Sequence, residues 1–229
     1  MKQVKNLLSM ALNPQGNPGS KPGESSLSKE IPGMYSNEKG FFQHAVPKLF
    51  TSASLETCDL QPPEYIEFAK HWALDPCSVF LCGGYGSGKT HFSFAMLREM
   101  FRRCPRKIWP RYFTSPELDA KLLRAVKSEE GDSFALRDLG EQDLLFIDDI
   151  GRETKSDRLK RQYFEILNYR YTQNLPTILS SNFSLEQLGD VLDGAIASRI
   201  QTWQIIEFNG PDLRRSRPMA QKRTETHQG

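Results

Sequence analysis

The stretch SVFLCGGYGSGKTHFSFAML, residues 78–97, decides how the rest of the chain is read. It opens on an apolar run, Val79-Phe80-Leu81-Cys82, and breaks into Gly83, Gly84, Gly86 and Gly88. It then resumes with Lys89, Thr90 and apolar residues at helical spacing. A short apolar run ending in glycine predicts a buried strand, and Phe94, Leu97 and Phe101 predict one face of a helix over 89–103. Between them, Gly83-x4-Gly88-Lys89-Thr90 has the spacing of a P-loop in its required context, strand before and helix after. Residues without a Cβ let successive backbone N–H groups turn toward one centre, and the opening of a helix adds its positive dipole end. The ligand such a loop suits is a phosphate chain. Gly83, Gly84, Tyr85, Gly86, Ser87 and Gly88 form the cradle, with Lys89, Thr90 and His91 at the mouth of the helix. Lys89 is placed to reach the terminal phosphates and the Thr90 hydroxyl to ligate Mg²⁺.

Outward from this stretch, short apolar strands alternate with amphipathic helices. Strands are predicted near 108–114, over LLFIDDIG at 144–151, over TILSSN at 177–182 and over WQIIEF at 203–208. Helices are predicted from Pro63, over 116–128 after Ser115-Pro116, over 157–174 and over 184–199. The strand at 144–151 is apolar on both faces, as inside a parallel sheet, and the alternation predicts an α/β fold. Residues 41–214 form the expected domain. Before it, residues 14–40 are rich in Pro, Gly and Ser and read as a flexible linker. Residues 1–13 carry Val4, Leu7, Leu8 and Leu12 on one side of a short helix. Residues 215–229 continue a basic stretch begun at Arg214 and read as a disordered tail.

Composition narrows the field. With 30 Lys and Arg against 28 Asp and Glu in 229 residues, no global charge advertises a nucleic-acid or membrane partner. The longest apolar runs fall far short of a membrane span, and the N-terminus lacks a secretory pattern. The four cysteines form no CxxC pair, so reduced thiols in a cytoplasmic protein are expected, without zinc.

A P-loop needs an acid at the end of a neighbouring strand, and Asp148 supplies it as a metal-holding carboxylate beside Thr90. Asp149, next along the chain, is the candidate to orient and activate the attacking water. Asn182 would project beside the terminal phosphate if strand 177–182 lies between the P-loop strand and the acid strand.

Together these residues resemble the AAA+ ATPases of the DnaC/DnaI helicase-loader and IstB group. The resemblance runs from about Val46 to Arg214 and is carried by GGYGSGKTHF, LLFIDDIGRE, EILNYRYTQNLPTILSSNFSLEQL, ASRI and GPDLR. It implies a parallel five-stranded sheet flanked by helices, with a short flexible N-terminal extension. It also implies ATP and Mg²⁺ as ligands, with Asn182 as sensor 1. Arg199 becomes an arginine finger acting on a neighbouring subunit, Arg214 a sensor 2 equivalent, and Arg170 a residue facing the subunit junction. The family pattern Ser-Tyr-Arg is here Asp212-Leu213-Arg214. Many P-loop ATPases carry Glu where this chain has Asp149, so slow hydrolysis is expected.

The implied function is loading of a replicative hexameric DNA helicase onto single-stranded DNA, with self-association into a ring, spiral or filament. The helix within 1–13 would dock on the helicase. A transposition helper of the IstB kind, or a protein that captures a helicase without loading it, are the alternatives. Candidate DNA contacts are Lys121, Arg124 and Lys127, and the basic-aromatic stretch RRCPRKIWPRYF at 102–113.

Overall fold

The computed structural model describes residues 35, 37–125, 131–151 and 155–214. The sequence-predicted segment 1–13, almost all of the 14–40 linker, the tail 215–229 and Lys127 lie outside them. The linker boundary moves: α1 opens at Glu38 (Glu38–His44), capped by the Asn37 side chain accepting from Gly40 N–H. Its Phe41 and Phe42 are buried, and that apolar anchor holds the helix, including Glu38, Lys39 and Gly40, against the domain.

After α1 come single 3₁₀ turns at Lys48–Phe50 and Leu55–Thr57, then α2 (Pro63–Trp72), β1 (Val79–Gly83) and α3 (Lys89–Arg103). There follow β2 (Pro110–Thr114), α4 (Ser115–Ala125), α5 (Gly131–Gly140), β3 (Leu144–Asp148), α6 (Asp157–Thr172) and β4 (Thr177–Ser181). The described chain closes with α7 (Leu185–Val191), α8 (Gly194–Ile200) and β5 (Gln204–Phe208). The single helix expected over 184–199 is two. Asp193 is extended and its carboxylate accepts from Ala195 N–H, so it starts a new helix rather than continuing the old one.

The five strands are parallel in the order β2-β3-β4-β1-β5. Alternation along each strand sends side chains to two separate cores. Val79, Leu81, Leu144, Phe146 and Ile178 pack with α1, α2 and α3 on one face. Phe80, Cys82, Leu145, Ile147 and Leu179 pack with residues of α4 to α8 on the other. The first core is aromatic: Phe94 lies 5.0 Å from Tyr112, 5.4 Å from Phe146 and 5.5 Å from Phe50, ring centre to ring centre. Both faces of the sheet are thus covered, which explains why β1 and β3 read as apolar runs on both faces. The sheet leaves its chemistry to the carboxyl ends of the strands.

Candidate functional site: a P-loop at the carboxyl edge of the sheet

β1 ends at Gly83, where the backbone adopts φ 141° and a Cβ would stand 2.2 Å from the Phe208 carbonyl oxygen. Only glycine lets β1 and β5 remain paired to that point. Gly86 and Gly88 follow with φ 70° and 100°, the left-handed region where a side chain is strained. The chain then enters α3 at Lys89. The Lys89 ammonium donates to the carbonyls of Gly83 and Gly84, both at 2.8 Å, and to Asn182 Oδ1 at 2.9 Å. Thr90 Oγ1 donates to both carboxylate oxygens of Asp148, at 3.0 and 3.1 Å.

The strand order makes these meetings possible. β4 lies between β1 and β3, so Asn182, one residue beyond β4, stands between the P-loop and the acids at the end of β3. Its Oδ1 accepts from Lys89 while its Nδ2 donates to Asp149 Oδ1. Asp149 holds a left-handed backbone, φ 58°, and its N–H donates to Ser180 Oγ at 2.9 Å. Lys89, Thr90, Asp148, Asp149 and Asn182 are therefore brought into one cluster.

Burial sets the electrostatics of that cluster. The Asp148 carboxyl is pushed above the usual carboxylate range, mainly by desolvation and further by Asp149, against hydrogen bonds from Ser180 and Thr90. Desolvation draws the Lys89 ammonium below its ordinary value, while Asp149 and Asp148 oppose it. Burial likewise raises the Tyr112 phenol, with Asp148 nearby adding to the effect. A buried cation among two acids and a row of glycine backbone suits a multiply charged anion. A hydroxyl beside a carboxylate supplies the hard oxygens that Mg²⁺ prefers.

Other sequence-predicted residues lie elsewhere. Tyr85 is 59% exposed at the tip of the loop. His91 Nε2 pairs with Thr57 Oγ1 at 2.7 Å, so its ring faces the 3₁₀ turn rather than the cluster. Arg199 sits on α8 and donates to Asn168 Oδ1 and the Ala195 carbonyl, with its guanidinium 4.8 Å from the Phe164 ring. Arg214 is exposed, yet near enough for its charge to act on Lys89.

Two expectations are corrected. Arg170 does not face a subunit junction: it is wholly buried and donates to the Leu139, Gly140, Gln142 and Pro176 carbonyls and to Thr177 Oγ1. Nor does the stretch 102–113 form one open basic-aromatic surface. Its last residues are β2, which places Tyr112 against Phe146 in the core and buries Arg111 against Asp138 at 2.9 Å. Arg102, Arg103 and Arg106 pair with Glu38, Glu99 and Asp75, and Lys121 reaches Asp138 at 3.3 Å. Arg124 remains exposed on α4.

Three site residues escaped the sequence reading. Ser180 supports both acids; it is one of three hydroxyl residues in β4, and nothing in the sequence sets it apart from Thr177 and Ser181. Gln61 donates to the Ser87 carbonyl at 3.0 Å. Asp212 packs its carboxylate against Gly86, whose carbonyl accepts from Leu213 N–H at 3.0 Å. The last two come from segments far from the loop in sequence, and no local pattern marks them.

A five-stranded parallel sheet with a P-loop on its central region, acids one strand away and an asparagine between them defines an AAA+ P-loop fold. The model of the bacterial DnaA ATPase domain matches residues 66–207, well over half of the chain. The chain belongs to that family. It is 27% identical to a DnaI of known crystal structure, over 73% of this chain and 93% of that one, with a TM-score of 0.59. A DnaC helicase loader, 21% identical, shares the fold over 71% of this chain and all of its own, with a TM-score of 0.61. Among curated proteins, the phage-like element PBSX protein XkdC of Bacillus subtilis is 36% identical over 132 residues, 54% of this chain. The chain spans less than half the length of the first two curated relatives it matches, 46% and 43%. Among the described residues, no helix is long and apolar enough to cross a membrane.

Proposed function

We propose that this chain is an ATP-dependent loader that delivers a replicative hexameric helicase onto single-stranded DNA. The observation that carries the ATPase reading is Asn182, whose one side chain joins Lys89 to Asp149. A phosphate arriving at Lys89 competes with Asn182 Oδ1 for the ammonium, and the other end of the same amide holds the acid that faces the attacking water. Occupancy of the cradle and readiness for hydrolysis are thereby linked through two hydrogen bonds.

In this reading the P-loop amides and Lys89 bind and orient the triphosphate of ATP. Thr90 and Asp148 would hold Mg²⁺, which supplies charge neutralisation on the phosphate oxygens. Asp149 accepts a proton from the attacking water, held in place by Asn182 and by Ser180. The carboxylate of Asp149 is one methylene shorter than glutamate, and turnover is accordingly slow. Arg199 serves the ATP of a neighbouring subunit in a ring, spiral or filament, and Arg214 lends charge beside Lys89. Support for the loader role comes from the likeness to DnaI, which spans nearly all of that protein's solved chain.

Two measurements test it. Calorimetry should detect ATP binding by the full chain and none by Lys89→Ala; a wild type that takes up no nucleotide ends the ATPase reading. A pull-down against hexameric helicases in ATP and in ADP should retain one of them in a nucleotide-dependent way. Association with a transposase and preference for duplex DNA would instead select the transposition helper. Helicase capture with no delivery onto single strands would select the non-loading alternative.

A further inference from the structure

Ser180 is 1% exposed, sits in the middle of the sheet on β4, and touches both acids of the site. The main-chain ladder between β3 and β4 runs through Leu145↔Thr177, Phe146↔Ile178 and Ile147↔Leu179 and stops there. Beyond that point β3 peels away, and serine side chains take over part of the pairing. Asp149 N–H donates to Ser180 Oγ at 2.9 Å, Ile150 N–H to the Ser180 carbonyl at 2.8 Å, and Ser181 Oγ to the Ile150 carbonyl at 2.7 Å. The single proton of the Ser180 hydroxyl goes to Asp148 Oδ1. Its lone pairs then face Asp149. Donor and acceptor capacity are both in use, so the hydroxyl has one orientation.

The consequence falls on Asp149. A non-glycine residue at φ 58° is held there by its surroundings, since the conformation is otherwise disfavoured. The Ser180 hydroxyl is one such hold on its backbone, and the Asn182 amide holds its side chain. Without Ser180 the Asp149 N–H loses this hydrogen bond, and Asp148 loses a donor.

We infer that Ser180 is a positioning residue that registers the two acids against each other, fixing where Asp149 stands relative to the metal-holding carboxylate of Asp148. The inference rests on the ATPase reading above and adds a residue that does not itself touch ATP. Because Ser180 acts on Asp149 geometry rather than on the phosphate cradle, its loss separates turnover from ATP affinity. Ser180→Ala should lower kcat by about 10- to 100-fold, the usual cost of removing an outer-shell partner. KM for ATP should stay within about 3-fold of wild type. Ser180→Thr keeps the hydroxyl and should restore most of kcat.

Thr177→Val provides the structural baseline. It removes a buried hydroxyl from the other end of the same strand, away from both acids. Amide exchange supplies a readout that needs no turnover. The Asp149 N–H should be protected in wild type and in Thr177→Val, and should exchange faster in Ser180→Ala. The inference is overturned if Ser180→Ala leaves kcat unchanged in an active wild-type background. It is equally overturned if Thr177→Val lowers kcat as much, or if Asp149 exchange is indifferent to Ser180. A wild type that neither binds nor hydrolyses ATP refutes the proposed function, and this role with it; that failure shows in the parent before any variant is made.

Discussion

Replacing Arg170 with methionine keeps the apolar stem and removes a guanidinium that reaches four carbonyls and one hydroxyl inside the protein. Its donors meet Pro176 O at 2.7 Å, Gln142 O and Thr177 Oγ1 at 2.8 Å, Gly140 O at 3.0 Å and Leu139 O at 3.3 Å. The arginine thus ties the end of α5 and the approach to β3 to the start of β4. Each buried acceptor left without a donor costs about 1–3 kcal/mol, although relaxation recovers part of this. Relief of the guanidinium's own desolvation, the force that lowers its pKa, offsets another part. The net loss should be about 3–5 kcal/mol, the range for breaking a buried charged network. For a domain of this size that is a fall in Tm of about 10 °C, measured by scanning calorimetry without nucleotide. Arg170→Lys should recover little, because one ammonium cannot replace a planar fork of five donors. A Tm within about 2 °C of wild type would refute the reasoning, especially if ATPase activity were lost at the same time. That pair of results would return Arg170 to a subunit junction.

Three further outcomes follow from the same contacts. Lys155 has no exposed side-chain surface and meets Asp119 at 2.5 Å, so Lys155→Met should cost about 3–5 kcal/mol in denaturant unfolding. Adding Asp119→Leu should recover much of it, and a double variant no more stable than the single would contradict the pairing. Gly86→Ala puts a Cβ 1.7 Å from Asp212 Oδ1 at φ 70°, and ATP affinity should fall by at least about 10-fold, a loss of about 1.4 kcal/mol. Asp212→Ala should restore only part, since the clash goes but the left-handed backbone stays; complete recovery would show that the backbone strain is negligible. Asp148→Asn removes a carboxylate whose ionisation the fold disfavours, so the unliganded protein should melt higher at neutral pH. Because the folded pKa is the raised one, wild type gains stability as pH falls through it, and the gap should close toward acid. The same variant should lose the Mg²⁺-dependent part of its stabilisation by nucleotide, and an unchanged Mg²⁺ response would remove Asp148 from the metal site.

Much of the molecule is written in short-range pattern. The P-loop, the strands flanking it and the helix after it depend on residues within one stretch of chain, because glycine conformations and side-chain periodicity are local properties. Asp148 and Asn182 were also legible, since Asp148 ends β3, Asn182 directly follows β4, and a parallel sheet brings such ends to one edge. What the tertiary structure alone decided is the fate of polar groups that find partners far away. Arg170, which the family resemblance assigned to a surface, is swallowed by carbonyls from α5 and from the segments before β3 and β4. Arg111 and Tyr112 left a supposed DNA-binding stretch for an ion pair and an aromatic core. Ser180 became the joint between two acids only because β3 parts from β4 at that point. Gln61 and Asp212 met the P-loop from distant segments. A charge or hydroxyl carries no mark in sequence of which acceptor will reach it, and whether it ends buried or exposed follows from the packing that delivers that acceptor.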